Sequence, residues 1–360
     1  MADKKLKNLR DRIDDIDMKI LNLLNERAQL ALEVGHVKKL DGRAFYVPSR
    51  EKEVLERIAG SNKGPFPNNT LKVIYREIMS ASLALEKPLK IAFLGPDGTF
   101  THMASLRQFG SAAEYLSKKN ISDVFNDVER GKVDFGVIPV ENSNEGMVTH
   151  TLDRFVESDS SICGDIILPI SHCLLNKTGR FEDVQKIYSH PQPIAQCREW
   201  LSSYAPDIPV MDVASTALAA EMASEDNTIG AIAGESAATV YGLRVVEAKI
   251  EDNPHNVTRF LVIGKNLPNK TDHDKTSILF SVKDEAGILY KMLEPLSKHG
   301  INLTKIESRP LKTKAWEYIF FIDLEGHIED KNVANAIEEL KKRSKFLKVL
   351  GSYPTMKELG

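Results

Sequence analysis

Cysteine is scarce in this chain. Its three copies in 360 residues, Cys163, Cys173 and Cys197, are too few, odd in number and too scattered for a disulfide framework. No apolar run approaches the ~18 residues that a membrane span needs, and there is neither an internal repeat nor a low-complexity tract. The opening residues are charged with no apolar core behind them, so no secretory signal is expected. Charge of one sign is also missing. With 48 Lys and Arg against 51 Asp and Glu the formal charge is −3, which excludes a nucleic-acid binder driven by bulk charge. What remains is 42% hydrophobic and 28% charged, the profile of a soluble globular protein. At ~150 residues per domain the length points to two or three domains. The expectation is a cytoplasmic protein with no membrane and no nucleic-acid partner.

Three textures follow one another. Residues 4–87 read as helix alone: Leu6, Leu9, Ile13, Ile16, Ile20 and Leu23 repeat at three-four spacing, and no Gly or Pro interrupts before Gly35. A first helix over 4–39 would be ~54 Å long, too long for a compact globule and suited to a partner-bound helix. After Asp41-Gly42, Ser49 is placed to cap a second helix that runs to Gly60, and a third over 70–86 is ended by Pro88. From Leu89 short apolar runs at 90–94, 135–140, 184–188 and 228–233 alternate with helical stretches at 149–157, 193–204 and 215–224. That is α/β texture with buried strands. A polar linker at 267–274 leads to a tail read as strand 276–282, helix 287–299, strands 301–308 and 316–324, helix 331–342 and strand 346–353. This βαββαβ order suggests a small α+β sandwich. The expected domains are 1–88, 89–266 and 275–354.

Charges interrupt the apolar stripe of the first helix. Arg27 and Lys38 lie within about 20° of each other at 100° per residue, in line with Leu9, Ile16 and Ile20. A lone long cation there would snorkel out of a helix interface. Two of them ~16 Å apart can close on one small anion from above and below. The third helix continues its stripe Leu71, Ile74, Ile78 into Ser82 and Glu86, polar where core is expected, and Arg50 and Glu51 open the second. Arg10 lies ~42 Å along the helix from Lys38. If Arg10 also binds, it must come from a second chain, which predicts an intertwined dimer with two sites.

The run from Leu9 to Asp17, with Glu26-Arg27, Glu33-Val34-Gly35, Lys38 and Ser49-Arg50-Glu51, resembles the all-helical chorismate mutase family. The resemblance implies that Arg10, Arg27 and Arg50 hold the two carboxylates of chorismate. It also implies that Lys38 and Glu86 flank the breaking ether oxygen and that Glu51 and Ser82 meet the ring hydroxyl region. A Claisen rearrangement needs no nucleophile, metal or obligatory proton transfer, only a held conformer and positive charge at the ether oxygen. Val47 stands where many relatives have Asp, and Glu86 where many have Gln. As a hydrogen-bond donor Glu86 must be protonated, which burial favours.

The middle segment carries Gly95-Pro-Asp-Gly98-Thr99-Phe100-Thr101, Val140-Glu141-Asn142-Ser143, Ser189-His190-Pro191-Gln192, Ser215-Thr216-Ala217 and Asn256-Val-Thr258-Arg259-Phe260. Each follows or ends an apolar strand run, where open α/β sheets place ligands. The glycines lack the third Gly of a dinucleotide site and the Gly-Lys-Ser/Thr of a P-loop, and Thr99 or Ser215 alone reads as a helix cap. Together, in this order, the motifs resemble prephenate dehydratase, a two-lobed fold like periplasmic binding proteins. The resemblance implies that Thr258 is the proton donor and that Arg259 orients the site or binds a carboxylate. Asn142, Ser189, Gln196 and Glu141 then position prephenate, with Thr99, Ser143 and Ser215 completing the set. His172-Cys173 and His190 with Cys197 match no standard zinc spacing; no metal and no cofactor are expected.

The tail resembles an ACT regulatory domain, with Glu285-Ala-Gly287-Ile-Leu-Tyr290 at a strand-to-helix turn and Glu307-Ser-Arg-Pro310 at a strand end. The resemblance implies phenylalanine bound between paired domains at Gly287, Ile288, Leu289, Glu307, Ser308 and Arg309. Ala286 stands where the family usually has Pro. Three resemblances in one biosynthetic order imply a fused enzyme: chorismate to prephenate, prephenate to phenylpyruvate, and phenylalanine control. Two readings compete with it. One is a dehydratase whose first domain is a degenerate, dimerising mutase, supported by Val47 alone. The other is a non-catalytic ligand-sensing module.

Overall fold

The computed structural model describes residues 2–40, 46–283, 285–310 and 318–355. The Asp41-Gly42 break and the first two residues of the strand expected at 316–324 lie outside them. The chain divides into two compact units, residues 1–89 with 109–114, and residues 90–108 with 115–360.

The first unit is helical: α1 (Ala2–Leu40), α2 (Pro48–Ser61) and α3 (Asn68–Glu86). Helix α1 is uninterrupted, and its stripe residues Leu6, Leu9, Ile13, Ile16, Ile20 and Leu23 stand 44–63% exposed. Ser49 does not cap α2. It lies in the first turn, with Val47 at the cap position and Pro48 opening the helix. A proline's fixed φ suits the first helical position, where no N–H is needed.

In the second unit the chain builds one sheet, leaves it for another, and returns. The first sheet has the order β2 (Glu114–Lys118), β1 (Lys90–Leu94), β3 (Phe135–Asn142), β11 (Val257–Gly264), β5 (Ser161–Pro169), with β4 (Gly146–Met147) paired to β3. The second has β10 (Arg244–Ala248), β6 (Cys173–Asn176), β9 (Ile229–Ala233), β7 (Lys186–Ser189), β8 (Val210–Asp212). Helices α4 (Phe100–Phe109), α5 (Ile121–Glu129) and α6 (Thr149–Glu157) belong to the first lobe. Helices α7 (Pro191–Gln196), α8 (Arg198–Tyr204), α9 (Thr216–Glu225) and α10 (Glu235–Tyr241) lie in the second-sheet stretch of the chain, α10 also reaching back to the Gly98 turn of the first lobe through Tyr241 and Ser236. The single helix expected at 193–204 is two, because Cys197 at φ −115°, ψ 21° leaves the helical region. β11 is the returning strand, antiparallel to both β3 and β5.

The tail forms a third, antiparallel sheet in the order β13 (Leu303–Pro310), β14 (Tyr318–Glu325), β12 (Asp274–Val282), β15 (Phe346–Pro354). β12 starts within the expected linker, because the buried Asp274 carboxylate accepts from Thr271 N–H at 2.6 Å and Thr271 Oγ1 at 2.7 Å. Alternation along the strands gives this sheet two apolar faces. Ile278, Phe280, Phe320 and Ile322 pack with α11 (Ile288–Lys298) and α12 (Lys331–Arg343). Leu279, Ile319, Phe321, Leu350 and Tyr353 share a core with Ile138, Val140, Ile162 and Leu261 of the first lobe. The contact is so close that a Cβ on Gly351 would lie 2.2 Å from the Ile162 carbonyl oxygen. Gly351→Ala is therefore expected to destabilise this unit by roughly 1–3 kcal/mol, read as a lowered thermal unfolding midpoint. An unchanged midpoint would contradict the packing.

Candidate active sites

The helical unit holds a cavity of about 500 Å³ between facing sides of its three helices. Arg27, Lys38, Arg50, Glu51, Ser82 and Glu86 all line it, so every mutase residue expected from the sequence is there except Arg10, which is exposed far up α1. Arg27 Nη1 donates to Ser82 Oγ at 2.8 Å, and Ser82 donates to the Ile78 carbonyl at 2.7 Å. Ser82 thus steadies the guanidinium. Glu51 lies largely out of water beside Arg76, 3.5 Å away; desolvation pushes its carboxyl up, opposed by a hydrogen bond from Tyr46 and by the Arg76 charge. Desolvation likewise raises Glu86, with Lys38 opposing. Gly35 makes room for that carboxyl, since a Cβ there would fall 2.0 Å from it. Val47 lines the wall. Arg57 and Tyr75 were missed; Arg57 lies seven residues, two turns, beyond Arg50, a spacing that would have found it.

A second cavity, about 440 Å³, opens between the two lobes. Thr99, Asn142, Gln196, Ser215 and Thr258 line it, together with His172, His190 and Asn256. Its floor is a hydrogen-bond chain whose directions are settled from one end. Asn142 Oδ1 accepts from the backbone N–H groups of Asn144 at 2.9 Å and Glu145 at 3.2 Å. Its amide nitrogen therefore donates, to Thr258 Oγ1 and to Asn256 Oδ1, each at 2.8 Å. Asn256 then donates to Gln196 Oε1 at 3.1 Å, which also accepts from His172 Nε2 at 2.8 Å. Burial lowers the His172 pKa, so the ring is neutral with its proton on Nε2. Gln196 Nε2 has no hydrogen-bond partner among the described residues and remains a donor for a ligand. Thr258 Oγ1, accepting from Asn142, keeps its own hydrogen to give. Thr99 and Ser215 do cap helix starts, accepting from His102 N–H and Leu218 N–H at 3.3 and 3.0 Å.

Four expected dehydratase contacts do not reach this cavity. Ser189 is fully buried and donates to the Ile232 carbonyl at 2.6 Å. Ser143 Oγ accepts from Val257 N–H at 3.0 Å in the turn. Glu141 and Arg259 sit opposite each other in register, one residue from the Asn142–Thr258 pair, and strand alternation turns both away. Arg259 donates to Asp165 at 3.0 Å, Asp323 at 2.6 Å and Tyr353 at 2.9 Å. Glu141 is held by Lys305. In the structure Arg259 and Glu141 thus contact the tail and not the cleft cavity.

In the tail, Gly287 adopts φ +77° at the head of α11, which a glycine tolerates, and Ile288 packs on the helix-side core. Arg309 lies on the other face, lining a cavity of about 300 Å³ with Leu152, Arg154 and Phe321. Glu307 and Ser308 pair with Phe321 and Phe320 of β14. Gly287, Ile288 and Leu289 are thus not brought onto Arg309 within one chain.

The family descriptions match in chain order: chorismate mutase type II over residues 9–87, prephenate dehydratase over 91–268 and the ACT domain over 276–342. Helical cavity, two-lobed cleft and tail sheet are thus a mutase, a dehydratase and a regulatory module on one chain. The bifunctional chorismate mutase/prephenate dehydratase of Aquifex aeolicus is 53% identical, covering 98% of this chain and 98% of that protein. The Pseudomonas aeruginosa enzyme of the same name is 46% identical over 98% and 99%. The prephenate dehydratase of Arthrobacter aurescens, solved in complex with L-Phe, is 34% identical with a TM-score of 0.68, covering 74% of this chain and 90% of that one. The chain belongs to the bifunctional chorismate mutase/prephenate dehydratase family. Among the described residues no helix is long and apolar enough to cross a membrane.

Asn256 joins the two halves of the dehydratase chain of hydrogen bonds. Asn256→Ala is expected to lower dehydratase kcat on the order of 10–10²-fold while mutase turnover in the same protein stays as it was. An unaltered dehydratase rate would remove the chain from the mechanism.

Proposed function

We propose that the helical unit converts chorismate to prephenate, that the cleft converts prephenate to phenylpyruvate, and that phenylalanine bound at the tail restrains the second step in the cytoplasm. The observation that carries the reading is the Asn142–Thr258 hydrogen bond on the floor of a cleft that Gln196 and His172 also line.

In the first step the ether C–O bond breaks as the new C–C bond forms, and the ether oxygen gains negative charge. Arg27 and Arg50 hold carboxylates, Glu51 takes the ring hydroxyl region, and Lys38 with protonated Glu86 donates to the ether oxygen. Arg10 of a second copy completes the site, in a homodimer or a dimer of dimers whose interface covers the exposed stripe of α1.

In the second step the electron pair of the breaking bond to the ring carboxylate flows into the ring. Carbon dioxide leaves, and the ring hydroxyl departs as hydroxide, protonated to water. Aromatisation drives it, and the difficulty is the leaving group. The Asn142 amide stabilises charge on Thr258 Oγ1, so the Thr258 proton can pass to the departing oxygen. Gln196 and Asn256 orient substrate, and Arg259 acts by fixing the strand that carries Thr258.

Two outcomes test this account. Glu86 donates only when protonated, and burial raises its pKa. Mutase activity should therefore fall as pH rises through that pKa, and Glu86→Gln, a donor at every pH, should flatten the profile. The same slope in the variant would exclude the donor role. Mixing inactive Arg10→Ala and Lys38→Ala proteins should restore mutase activity, because each mixed dimer then holds one intact site. No recovery on subunit exchange would place Arg10 outside the site.

A further inference from the structure

The two residues that turn away from the cleft are half of a closed ring. Glu141 and Arg259 face each other across β3 and β11, directly beside the Asn142–Thr258 pair. On the tail sheet Lys305 and Asp323 face each other across β13 and β14. Lys305 Nζ donates to Glu141, and Arg259 Nη1 donates to Asp323 Oδ2 at 2.6 Å. Four charges alternate in sign around the ring, so every member is flanked by its opposites.

The two bridges differ in stiffness. Arg259 is buried and held also by Asp165 and Tyr353, while Asp323 accepts in addition from Ser277 at 2.5 Å. That side is a fixed post. The Lys305 bridge is a single contact between partly exposed groups, with side chains 17% and 31% exposed. Its strand, β13, is an edge strand paired among the described residues with β14 alone, so a displacement of it disturbs pairing with one strand only. Lys305 shares a strand face with Glu307 and Arg309, two and four residues on.

We infer that this ring transmits ligand binding on the tail to the dehydratase site, Lys305 and Asp323 acting as positioning residues through Glu141 and Arg259. A ligand that draws β13 shifts Lys305 and with it Glu141. The next residue, Asn142, then loses its alignment on Thr258, whose strand the Arg259 post holds still. The ligand inhibits because it favours the arrangement in which that hydrogen bond is broken.

The inference rests on the reading that phenylalanine binds the tail, and the experiment separates the two. In full-length protein, Lys305→Met keeps the stem and removes the charge. Phenylalanine binding is measured by titration calorimetry, dehydratase and mutase rates with and without saturating phenylalanine. The expected result is that the variant binds phenylalanine and keeps its mutase rate, while the ratio of uninhibited to inhibited dehydratase rate falls at least about tenfold. Lys305→Arg, which preserves the pair, should regain the response. Full inhibition in Lys305→Met overturns the ring as the link. Absence of phenylalanine binding to the unaltered protein overturns the regulatory reading of the tail, and the inference with it.

Discussion

A guanidinium withdrawn from water has to be met by opposite charge and by acceptors for its donors, and in this protein that demand falls on Arg259. Asp165 comes from the neighbouring strand of the same sheet, Asp323 and Tyr353 from the tail. The surrounding charge holds the Arg259 pKa well above its ordinary value despite the desolvation that opposes it. Lys275, also on Asp165 at 3.3 Å, brings the buried set to balance, two cations against two carboxylates. Breaking one leg would leave a buried charge unmatched, so the cluster admits one register between the first-lobe sheet and the tail sheet. Thr258 is the next residue along the strand. Its position in the cleft follows from where Arg259 is anchored.

The same economy of means governs the helical site, by a different route. Helix faces hold it, with one largely buried pair, Glu51 and Arg76, at its edge. Arg27 and Lys38 project from one side of α1, Ser82 and Glu86 from one side of α3, and a glycine at position 35 lets the two helices approach where the Glu86 carboxyl sits. The remaining face of α1 carries leucine and isoleucine side chains that stand about half exposed among the described residues. Apolar surface of that extent is unfavourable in water, and the second copy proposed above would cover it.

Much of this was legible because it depends on local periodicity. The strand at 90–94 and the helix at 149–157 end where their runs end. Asn256, Thr258 and Phe260 are spaced by two and do share the cleft face. Arg259, expected to orient the site or bind a carboxylate, and Glu141, expected to position substrate, lie off the cleft for the complementary reason: adjacency in a motif says nothing about which sheet face a residue takes, and alternation sends neighbours to opposite sides. Ser189 lies off the cavity, its hydroxyl taken by a carbonyl more than forty residues away, Ile232. His172 drew notice beside a cysteine, yet its ring meets Gln196, twenty-four residues on, at 2.8 Å.

The order of amino acids by itself determined three folding textures, the families they resemble, and the residue types the chemistry needs, because helical stripes, strand alternation and short motifs are properties of neighbouring residues. Only the tertiary structure decided which motif residues meet a ligand and which bind the tail, and that Glu141, Arg259, Asp323 and Lys305 close on one another. Those four come from separate strands up to 182 positions apart, from Glu141 to Asp323. Contacts between strands so distant arise from packing and charge burial that no local pattern encodes.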